Sequence, residues 1–356
     1  MIARGKRSDA GMRRTGKIIS VALPATAVAC APSTAGRPAA APATALPSAS
    51  LDANSDLQAL IAAAEKEGSV LVYDNVTIDA AMYEDGGVLV GQLMPRGVTR
   101  TWVPADLTEQ IPAENHNPLL ALSKATIFAC NTELSPGGCP VKNVWDLTEP
   151  AWAGKLVMQD PLGKPTVLSF FTQLDAHGNA GLEQAYRARY GKALKTEDKN
   201  AAHEWIKRIS LNKPVLTGSD EDISAAVGAP DATDRKIAFM SISKFRNNED
   251  KGYHQAACEG MTPFAGFSYP KYVAIAAKSK HPNAAKLYVH FIMTEEGVKH
   301  EIGEGGVSAN STVKPLVTPP GLPDWQGRLF HTDPKGLLGD LQNRQALSDF
   351  WRVNRG

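Results

Sequence analysis

Apolar and polar positions follow two different periods along the chain, and these periods predict helices and strands in turn. The segment 57–67 repeats apolar residues at three- and four-residue spacing and ends at Gly68, which is typical of an amphipathic helix. The next segment, 69–73, is a short continuous apolar run, which is typical of a buried strand. A polar loop follows at 74–77. This order of helix, strand and polar loop indicates an α/β fold.

The stretch 141–165 predicts a junction between a strand and a helix. An apolar strand at 156–158 runs into a polar turn, Asp160 to Lys164, and a second apolar run begins at Val167. Open α/β sheets bind ligands at such junctions, because free N–H groups at the helix start and loop side chains form a crevice there. The alternative is a surface turn that only caps the next helix.

Further segments with the same two periods extend the α/β pattern. Strands are predicted at 125–129, 237–243 and 269–278. Helices are predicted at 181–190, at 196–209 with Thr196 as N-cap, at 223–227 and at 337–351. One more helix is predicted from Pro282 to Gly297, with a single buried stripe. That stripe comprises Leu287, Tyr288, Phe291 and Ile292.

The N-terminus, 1–30, has the order of an export signal. Lys and Arg residues between 4 and 17 precede the apolar run 18–29, and small residues lead directly to Cys30. This ending is similar to the lipobox of bacterial lipoproteins, except that Ala27 stands where Leu is usual. We expect lipidation at Cys30, and cleavage among the small residues is the alternative. Residues 31–50 are almost entirely Ala, Pro, Ser and Thr, which predicts a linker.

Composition places the chain among ordinary globular proteins and argues against two classes of partner. Its 356 residues are enough for two domains, and 43% of them are hydrophobic and 21% charged. A formal net charge of +1, with no basic patch, argues against nucleic-acid and membrane-surface binding. The sequence has no apolar run of about 18 residues or more, so a membrane-spanning helix is not expected.

The four cysteines include one pair that lies close in sequence. Cys130 and Cys139 flank the segment 136–138, Pro-Gly-Gly, which can turn the chain back on itself. In an exported protein we therefore expect a disulfide between Cys130 and Cys139. With Cys30 assigned to a lipid, Cys258 is then expected to be a buried, unreactive thiol.

Three ordered segments resemble bacterial solute-binding proteins of ABC importers, the group that includes ferric-ion and polyamine binders. LIAAAEKEGSVLVYDN is similar to the mature start of these proteins, and NVWDLTEPAWAGKLVMQDP to the segment that enters their second lobe. HPNAAKLYVHFIMTEEG is similar to the helix that packs back on the first lobe, and GGVSANSTVKP to the loop after it. Together these matches extend over most of residues 57–315.

The resemblance implies a two-lobe, type II periplasmic-binding-protein-like α/β fold with a hinge, in which a ligand is held between the lobes. Residues 51–130 and 271–320 then form the first lobe, and 131–270 form the second. Residues 321–356 form a C-terminal extension that packs on the lobes. The first crossing between the lobes is expected near Cys130 and Asn131.

The resemblance also implies a function, the solute-binding component of an ABC import system. A monomer would capture a small molecule or an ion complex and deliver it to a membrane permease. The chain would be exported to the periplasm or cell surface, and only lipid at Cys30 would attach it to the membrane. No cofactor, catalytic residue, resident metal or nucleic-acid partner is expected.

One departure from the family lies in the first lobe. After the first strand the family continues with a helix, a strand, a second helix and a second strand. This chain has only residues 76–81 before the next matching segment. Since a βαβ unit takes about 30 residues or more, we expect the first lobe to lack one or two such units.

The expected ligand contacts lie in loops at the ends of strands. They are Asn75, Thr77, Glu84, Asp85, Asp160, Gly163, Lys164, Ser219, Asp220, Ser241 and Ser243. Relatives that bind bare ferric ion have adjacent tyrosines where this chain has Ser241 to Ser243, which argues against direct iron chelation and favours hydrogen bonding by hydroxyls. Acidic members of the set suit a cationic ligand group and Lys164 suits an anionic one, so the ligand charge stays open.

Motifs of the common enzyme classes are absent from the sequence. Residues 306–310 fail the G-x-S-x-G pattern at the last position, and Gly163-Lys164 lacks the other residues of a phosphate-binding loop. The histidines show no metal-ligand spacing. We therefore expect a binding protein that is not an enzyme. A secreted hydrolase and a non-binding remnant of a solute-binding protein are the alternatives.

Overall fold

The computed structural model describes residues 56–74 and 79–355, and within them 11 strands pair into one mixed sheet. The strands are β1 (Val72–Asp74), β2 (Ala80–Tyr83), β3 (Thr99–Arg100), β4 (Leu119–Asn131), β5 (Leu156–Gln159), β6 (Val215–Thr217), β7 (Ile237–Ser241), β8 (Gln255–Ala257), β9 (Gly266–Ala276), β10 (Val307–Ser308) and β11 (Leu329–His331). Their main order is β1-β2-β9-β4-β7-β5-β6. Strands β8 and β10 also pair with β4, and β3 and β11 with β9.

Helices connect the strands of this sheet. The helices are α1 (Leu57–Glu67), α2 (Gly86–Val88), α3 (Pro165–Gln173), α4 (Asn179–Tyr190), α5 (Ala201–Leu211), α6 (Asp220–Gly228), α7 (Asn247–Asp250), α8 (Pro282–Ile292), α9 (Glu295–Gly303) and α10 (Leu337–Asn354). A π-helical turn extends α2 over Leu89–Leu93, and another joins α3 to α4 over Leu174–Gly178. No helix in the described part of the chain is both long and apolar enough to span a membrane.

Helix α1 confirms the first predicted helix. The Asp56 side chain caps it by accepting a hydrogen bond from the Gln58 N–H (3.3 Å), and Gly68 ends it in the left-handed conformation with φ of 74°. Its buried residues are Leu60 and Ala64, and the helix packs against α8. The apolar periodicity therefore identifies the face that is buried.

The strand-to-helix junction in the stretch 141–165 is also confirmed. Strand β5 is buried along its whole length, and α3 begins at Pro165. The turn between them is closed by the Asp160 carbonyl oxygen, which accepts hydrogen bonds from the N–H groups of Gly163 and Lys164 (both 2.9 Å). Pro165 suits the first helical turn because its missing N–H would have no helical partner there.

Helix α5 begins later than predicted. The Thr196 hydroxyl does not cap a helix but donates a hydrogen bond to Glu204 (2.6 Å). Asn200 is the cap, since its side-chain oxygen accepts a hydrogen bond from the His203 N–H (3.0 Å). The Asn200 amide also donates to the carboxylate of buried Asp175 (2.6 Å), and this long-range contact fixes where the helix starts.

The helix predicted from 282 to 297 is two helices, α8 and α9. Thr294 lies between them and caps α9 by accepting a hydrogen bond from the Gly297 N–H (3.2 Å). The predicted stripe is wrong for Phe291, which is 48% exposed. The face that is buried instead contains Ala285, Val289 and Ile292. Spacing counted from Leu287 selects the neighbouring face of the same helix.

Two hydrophobic clusters pack on different parts of the sheet. The large cluster includes Ile127, Phe170, Trp205, Phe267 and Trp351. The small cluster includes Leu60, Trp102, Leu119, Val273 and Val289. Strands β4 and β9 are antiparallel neighbours, and each contributes residues to both clusters.

Strands β4 and β9 run next to each other, and both extend from the large cluster into the small one. On β4, Ala121 belongs to the small cluster and Ala125 to the large one. On β9, Tyr269 belongs to the large cluster and Val273 to the small one. Cys130 also belongs to the large cluster. The lobe crossing expected near Cys130 and Asn131 stays a prediction.

The connection between β1 and β2 is unusually short. The two strands are parallel, with Val72 opposite Ala80, and only residues 75–79 join them. Parallel neighbours are usually joined by a crossover of about a dozen residues or more, most often a helix. Five residues are fewer than such a crossover takes. How many units the first lobe lacks relative to the family stays a prediction.

Helix α10 confirms the predicted C-terminal helix and contacts several distant elements. Leu337 at its start belongs to a third hydrophobic cluster with Tyr83 and Tyr272. Trp351 near its end is fully buried in the large cluster. Between these ends the helix packs against α2, α3 and α5. It therefore joins the end of β2 to the helices of the large cluster.

The cysteine pairing differs from the expected one. Cys139 forms a disulfide with Cys258, and Cys130 is a buried free thiol. The predicted Cys130–Cys139 disulfide and the predicted free thiol at Cys258 are therefore wrong. The chain after β8 runs beside β4, where the Cys258 N–H donates to the Phe128 carbonyl (2.8 Å). This pairing brings Cys258 to Cys139 across 119 residues, a proximity that sequence spacing does not reveal.

Candidate functional site

Two lysines mark the place where β4 and β9 pass between the clusters. We call this place, residues 122–124 and 270–272, the crossing. Its lysines, Lys124 and Lys271, both pair with Glu301 of α9, at N–O distances of 2.5 and 3.8 Å. Burial alone would raise the pKa of Glu301, but the two lysines outweigh burial and lower it. Glu301 is therefore held as an anion at the crossing.

Glu84 follows β2 and lies between two lysines from different parts of the chain. Its carboxylate is 3.7 Å from Lys164, just before α3, and 3.7 Å from Lys271 on β9. Both distances are longer than a hydrogen bond, so neither lysine hydrogen-bonds to Glu84. The Lys271 side chain is only 9% exposed, and it also lies 3.8 Å from Glu301. A nearly buried ammonium held by long ion pairs is costly, so this arrangement favours a further acceptor.

Tyr269 and Asp220 lie beside this charged group. Burial and the negative charges of Glu84, Asp220 and Glu301 raise the pKa of Tyr269 well above its ordinary value. Tyr269 is therefore a neutral phenol rather than a phenolate at neutral pH. Burial also raises the pKa of Asp220. The hydrogen bond that its carboxylate accepts from the Ser241 N–H (3.1 Å) lowers this pKa, but burial outweighs it.

Ser241 is the last residue of β7, Ser243 lies just after the strand, and both are buried. Their hydroxyl oxygens are 3.0 Å apart, and the Ser241 hydroxyl accepts a hydrogen bond from the Ser243 N–H (3.3 Å). Ser241 thereby caps the short 3-10 helix Ile242–Arg246. Since Ser241 also donates its N–H to Asp220, these three residues form one connected polar group.

Several expected contacts are engaged in local structure instead. Asp85 caps α2 and binds Arg344, while Asp160 binds Arg355 (3.0 Å) and the Leu162 N–H (3.0 Å). Ser219 caps α6. Gly163 lies in the turn before α3. Asn75 and Thr77 lie outside the described residues, so their predicted roles stay predictions.

The structure therefore brings together Glu84, Lys164, Asp220, Ser241 and Ser243 from the expected set. A cavity of about 10 Å³ beside them is lined by Glu84, Thr166, Ser169 and Tyr269, together with residues of β9 and α10, and has the space of about one water molecule. A larger cavity of about 260 Å³ opens on the other side of Ser243, next to Arg246 and Glu304. In this conformation the cavity beside Glu84 is therefore very small, while the Lys164 side chain is 33% exposed.

The expected contacts do not include Lys124, Tyr269, Lys271 or Glu301. Lys271 has a signal in the sequence, because it is the one charge in the run YPKYVAIA, and every residue of β9 is buried. A charged residue within an otherwise apolar strand indicates a paired or functional group. Lys124 and Glu301 have no comparable local signal, since their approach depends on how α9 packs beside β4.

Comparisons with known proteins agree on the fold. No protein-family model and no curated protein matches the sequence. Among solved structures, iron-bound HitA from Pseudomonas aeruginosa is similar at 16% identity and a TM-score of 0.57, with 83% of this chain and 87% of that chain covered. The apo ferric ion-binding protein A of Pasteurella haemolytica is similar at 14% identity and a TM-score of 0.55, with the same coverage, 83% and 87%.

A third similar structure was solved with an organic ligand. The periplasmic binding protein MotA from A. tumefaciens B6, in complex with glucopine, has 15% identity and a TM-score of 0.53 over 83% of this chain and 88% of that one. The Pasteurella haemolytica and A. tumefaciens neighbours are binding proteins. At such identities the likeness establishes the fold alone, and the chain has the mixed α/β fold of extracellular solute-binding proteins.

Proposed function

We propose that this chain is the solute-binding component of an ABC import system. It captures a small anionic solute between two lobes and delivers it to a membrane permease. The observation that carries this proposal is the position of Glu84, whose carboxylate lies 3.7 Å from both Lys164 and Lys271 without a hydrogen bond to either. The fold that the chain shares with extracellular solute-binding proteins supports the same role.

The charges around Glu84 favour an anion. Lys124 is engaged by Glu301 at 2.5 Å, and Lys244 by Glu221 at 2.6 Å. Lys164 and Lys271 both lie 3.7 Å from Glu84, and Lys271 also lies 3.8 Å from Glu301, so both ammonium groups are held at distances longer than a hydrogen bond. A carboxylate, phosphate or phosphonate presents oxygens that can accept the missing hydrogen bonds from both ammonium groups. The nearby hydroxyls of Tyr269, Ser241 and Ser243 supply further donors.

Capture follows from the place of these groups in the fold. Residues 51–130 and 271–320 form the first lobe in this proposal and 131–270 the second, and strands β4 and β9, which run through the crossing, join them. Lys164 belongs to the second lobe, and Glu84 and Lys271 to the first. A bound anion would bridge the lobes and shift the population toward the closed form that a permease recognises. Residues 321–356 pack on both lobes.

The remaining parts of the proposal concern location and chemistry. The basic and apolar N-terminus supports export, and lipid at Cys30 would hold a monomer at the membrane through the linker 31–50. The function is binding without catalysis. This part of the proposal is supported by the absence of enzyme motifs from the sequence and by structural neighbours that are binding proteins.

Thermal unfolding of the full chain with single solutes tests this function. The anionic set is inorganic phosphate, methylphosphonate, citrate and glutamate; the cationic set is spermidine, Mg²⁺ and Fe³⁺. We expect one or more anions to stabilise the protein, by about 2.7 kcal/mol at a concentration of about 100 times Kd, and the cations to have no effect. Lys164→Gln should abolish that stabilisation, while Lys299→Gln, at a position 47% exposed, should leave it unchanged.

Three other results of this experiment would each indicate a different function. Stabilisation by spermidine or Fe³⁺ and by no anion would overturn the anionic ligand but keep solute binding. Turnover of a solute would support the hydrolase. If no solute changes the unfolding temperature and no product forms, the chain is the non-binding remnant.

A further inference from the structure

Three cysteines lie close together inside the large hydrophobic cluster, away from the crossing. In this subsection, "the cluster" means these three cysteines. The sulfur atoms of Cys130, Cys139 and Cys258 are all within 4.8 Å of one another. Their residues are 1%, 4% and 0% exposed. Among residues 56–74 and 79–355, no other group of three His, Cys, Asp or Glu side chains brings its ligand atoms this close.

The backbone around the cluster is held by strands rather than by flexible loops alone. Cys130 lies in β4, opposite Ile237 of β7 and Ala256 of β8. Cys258 directly follows β8, and its N–H donates to β4 at Phe128 (2.8 Å). The backbone of two of the three cysteines is thus held by the sheet.

Reduction would turn the cluster into three thiols in one buried place. A phosphine reductant takes oxygen from water and is oxidised to the phosphine oxide, while the Cys139–Cys258 bond gains two electrons and two protons to give two thiols. Three thiolates on one ion with metal–sulfur bonds of about 2.3 Å have their sulfur atoms about 4 Å apart. The Cys130 sulfur lies within 4.8 Å of the other two, whereas the Cys139 and Cys258 sulfur atoms are bonded in the disulfide and must move apart after reduction to reach that spacing.

The charge of the cluster indicates which ion fits. Three thiolates carry three negative charges, and the Lys142 ammonium is the positive group that acts on Cys130. A divalent ion together with Lys142 neutralises the three thiolates, whereas a monovalent ion leaves a negative charge inside the core, which is costly. Thiolate ligands select soft or borderline metals over hard ones.

We propose that the reduced form of this protein binds one divalent thiophilic cation, such as Zn²⁺ or Cd²⁺, through Cys130, Cys139 and Cys258. Binding releases the three thiol protons as three metal–sulfur bonds form. The disulfide closes the site, because it removes two of the three thiolate ligands. The site is therefore present only under reducing conditions and is independent of solute binding at the crossing.

Cadmium titration of the full chain tests the proposal, with the Cys30→Ser variant as control because it removes the fourth cysteine. After reduction with a phosphine, both proteins should bind one Cd²⁺ per chain, seen as a thiolate-to-metal charge-transfer band in the ultraviolet and as a mass shift in native mass spectrometry. The oxidised proteins should bind none. Reduced Cys130→Ala should bind at least tenfold more weakly, because a two-thiolate site is left.

Circular dichroism and thermal unfolding, recorded on the same samples, separate metal binding from loss of fold. A folded, reduced chain without the charge-transfer band would overturn the proposal. Equal Cd²⁺ affinity of Cys130→Ala and the parent would also overturn it, as would a reduced chain that is unfolded both with and without Cd²⁺. Cys130→Ala that is folded in the reduced state shows that its weaker binding comes from the missing ligand.

Discussion

Arg344 on α10 donates hydrogen bonds to both carboxylate oxygens of Asp85, at 2.5 and 2.8 Å. Asp85 in turn accepts the Val88 N–H (3.0 Å) and so caps α2 directly after β2. Leu337 packs closely under this turn, since a Cβ atom at Gly86 would lie 2.8 Å from the Leu337 side chain. The C-terminal helix is therefore tied to the end of β2 by a two-pronged ion pair and by close packing.

Arg344→Ala should destabilise the protein by about 2 kcal/mol, because it leaves Asp85 partly buried without its charged partner. Both side chains are about one-fifth exposed, at 20% and 22%, so the cost lies between that of a buried pair and that of a surface pair. The matched control is Arg352→Ala on the same helix, whose pair with Asp349 is more than half exposed. Urea unfolding of the two variants measures the difference, and equal losses would contradict a special role for Arg344.

The surroundings of Asp79 predict that part of the free energy of unfolding depends on pH in the acid range. Burial would raise the pKa of Asp79, but hydrogen bonds from His281, the Leu71 N–H and Ser279 outweigh it and lower the pKa from 3.8 to about 2. A carboxyl group with a lowered pKa stabilises the folded state above its unfolded pKa. This contribution should therefore be complete above pH 4 and disappear as the pH falls from 4 to 2.

The test compares parent and Asp79→Asn by urea unfolding across that range. At pH 7 the variant should be less stable by about 2 kcal/mol, and the gap should close toward pH 2. Asp231→Asn, at an exposed position, serves as control and should follow the parent at every pH. A gap between parent and Asp79→Asn that stays constant from pH 7 to pH 2 would show that the hydrogen bonds do not depend on the charge of Asp79.

Features set by neighbouring residues in the sequence were predictable. Helix α1 and the β5–α3 junction follow from local apolar spacing and from turn residues, and both are confirmed. The start of α5 was not predictable to the residue, because Asn200 is fixed by Asp175 through a side-chain contact rather than by the local pattern.

Features that depend on distant partners were missed. The ion pair of Asp85 with Arg344 joins residues 259 positions apart. Sequence spacing pairs Cys139 with the nearest cysteine, Cys130, although the chain after β8 brings Cys258 to Cys139. At the crossing, Glu84 and Lys164 follow from loop position as predicted ligand contacts, whereas Lys124 and Glu301 meet only because α9 packs beside β4. No local pattern contains such contacts.

The disulfide pairing makes a prediction that peptide mapping can check. Proteolysis without reduction should yield a linked pair of peptides containing Cys139 and Cys258, with Cys130 alkylated only after unfolding, because burial raises the pKa of its thiol to about 11. Cys258→Ala opens a loop of 119 residues and should cost up to about 4 kcal/mol. Cys130→Ala is the control, since it leaves only a small cavity and should cost about 1 kcal/mol. A linked peptide containing Cys130 would contradict the pairing.

Lys164→Gln should leave the stability of the solute-free protein within about 1 kcal/mol of the parent. The reason is that the Lys164–Glu84 pair is long, at 3.7 Å, and the Lys164 side chain is 33% exposed, so water takes over much of the lost interaction. Urea unfolding without added solute measures this. Loss of anion-induced stabilisation in this variant then reports on binding rather than on folding. If the solute-free variant instead lost several kcal/mol, Lys164 would be a structural residue, and the anion site would have to be tested through Lys271→Met alone.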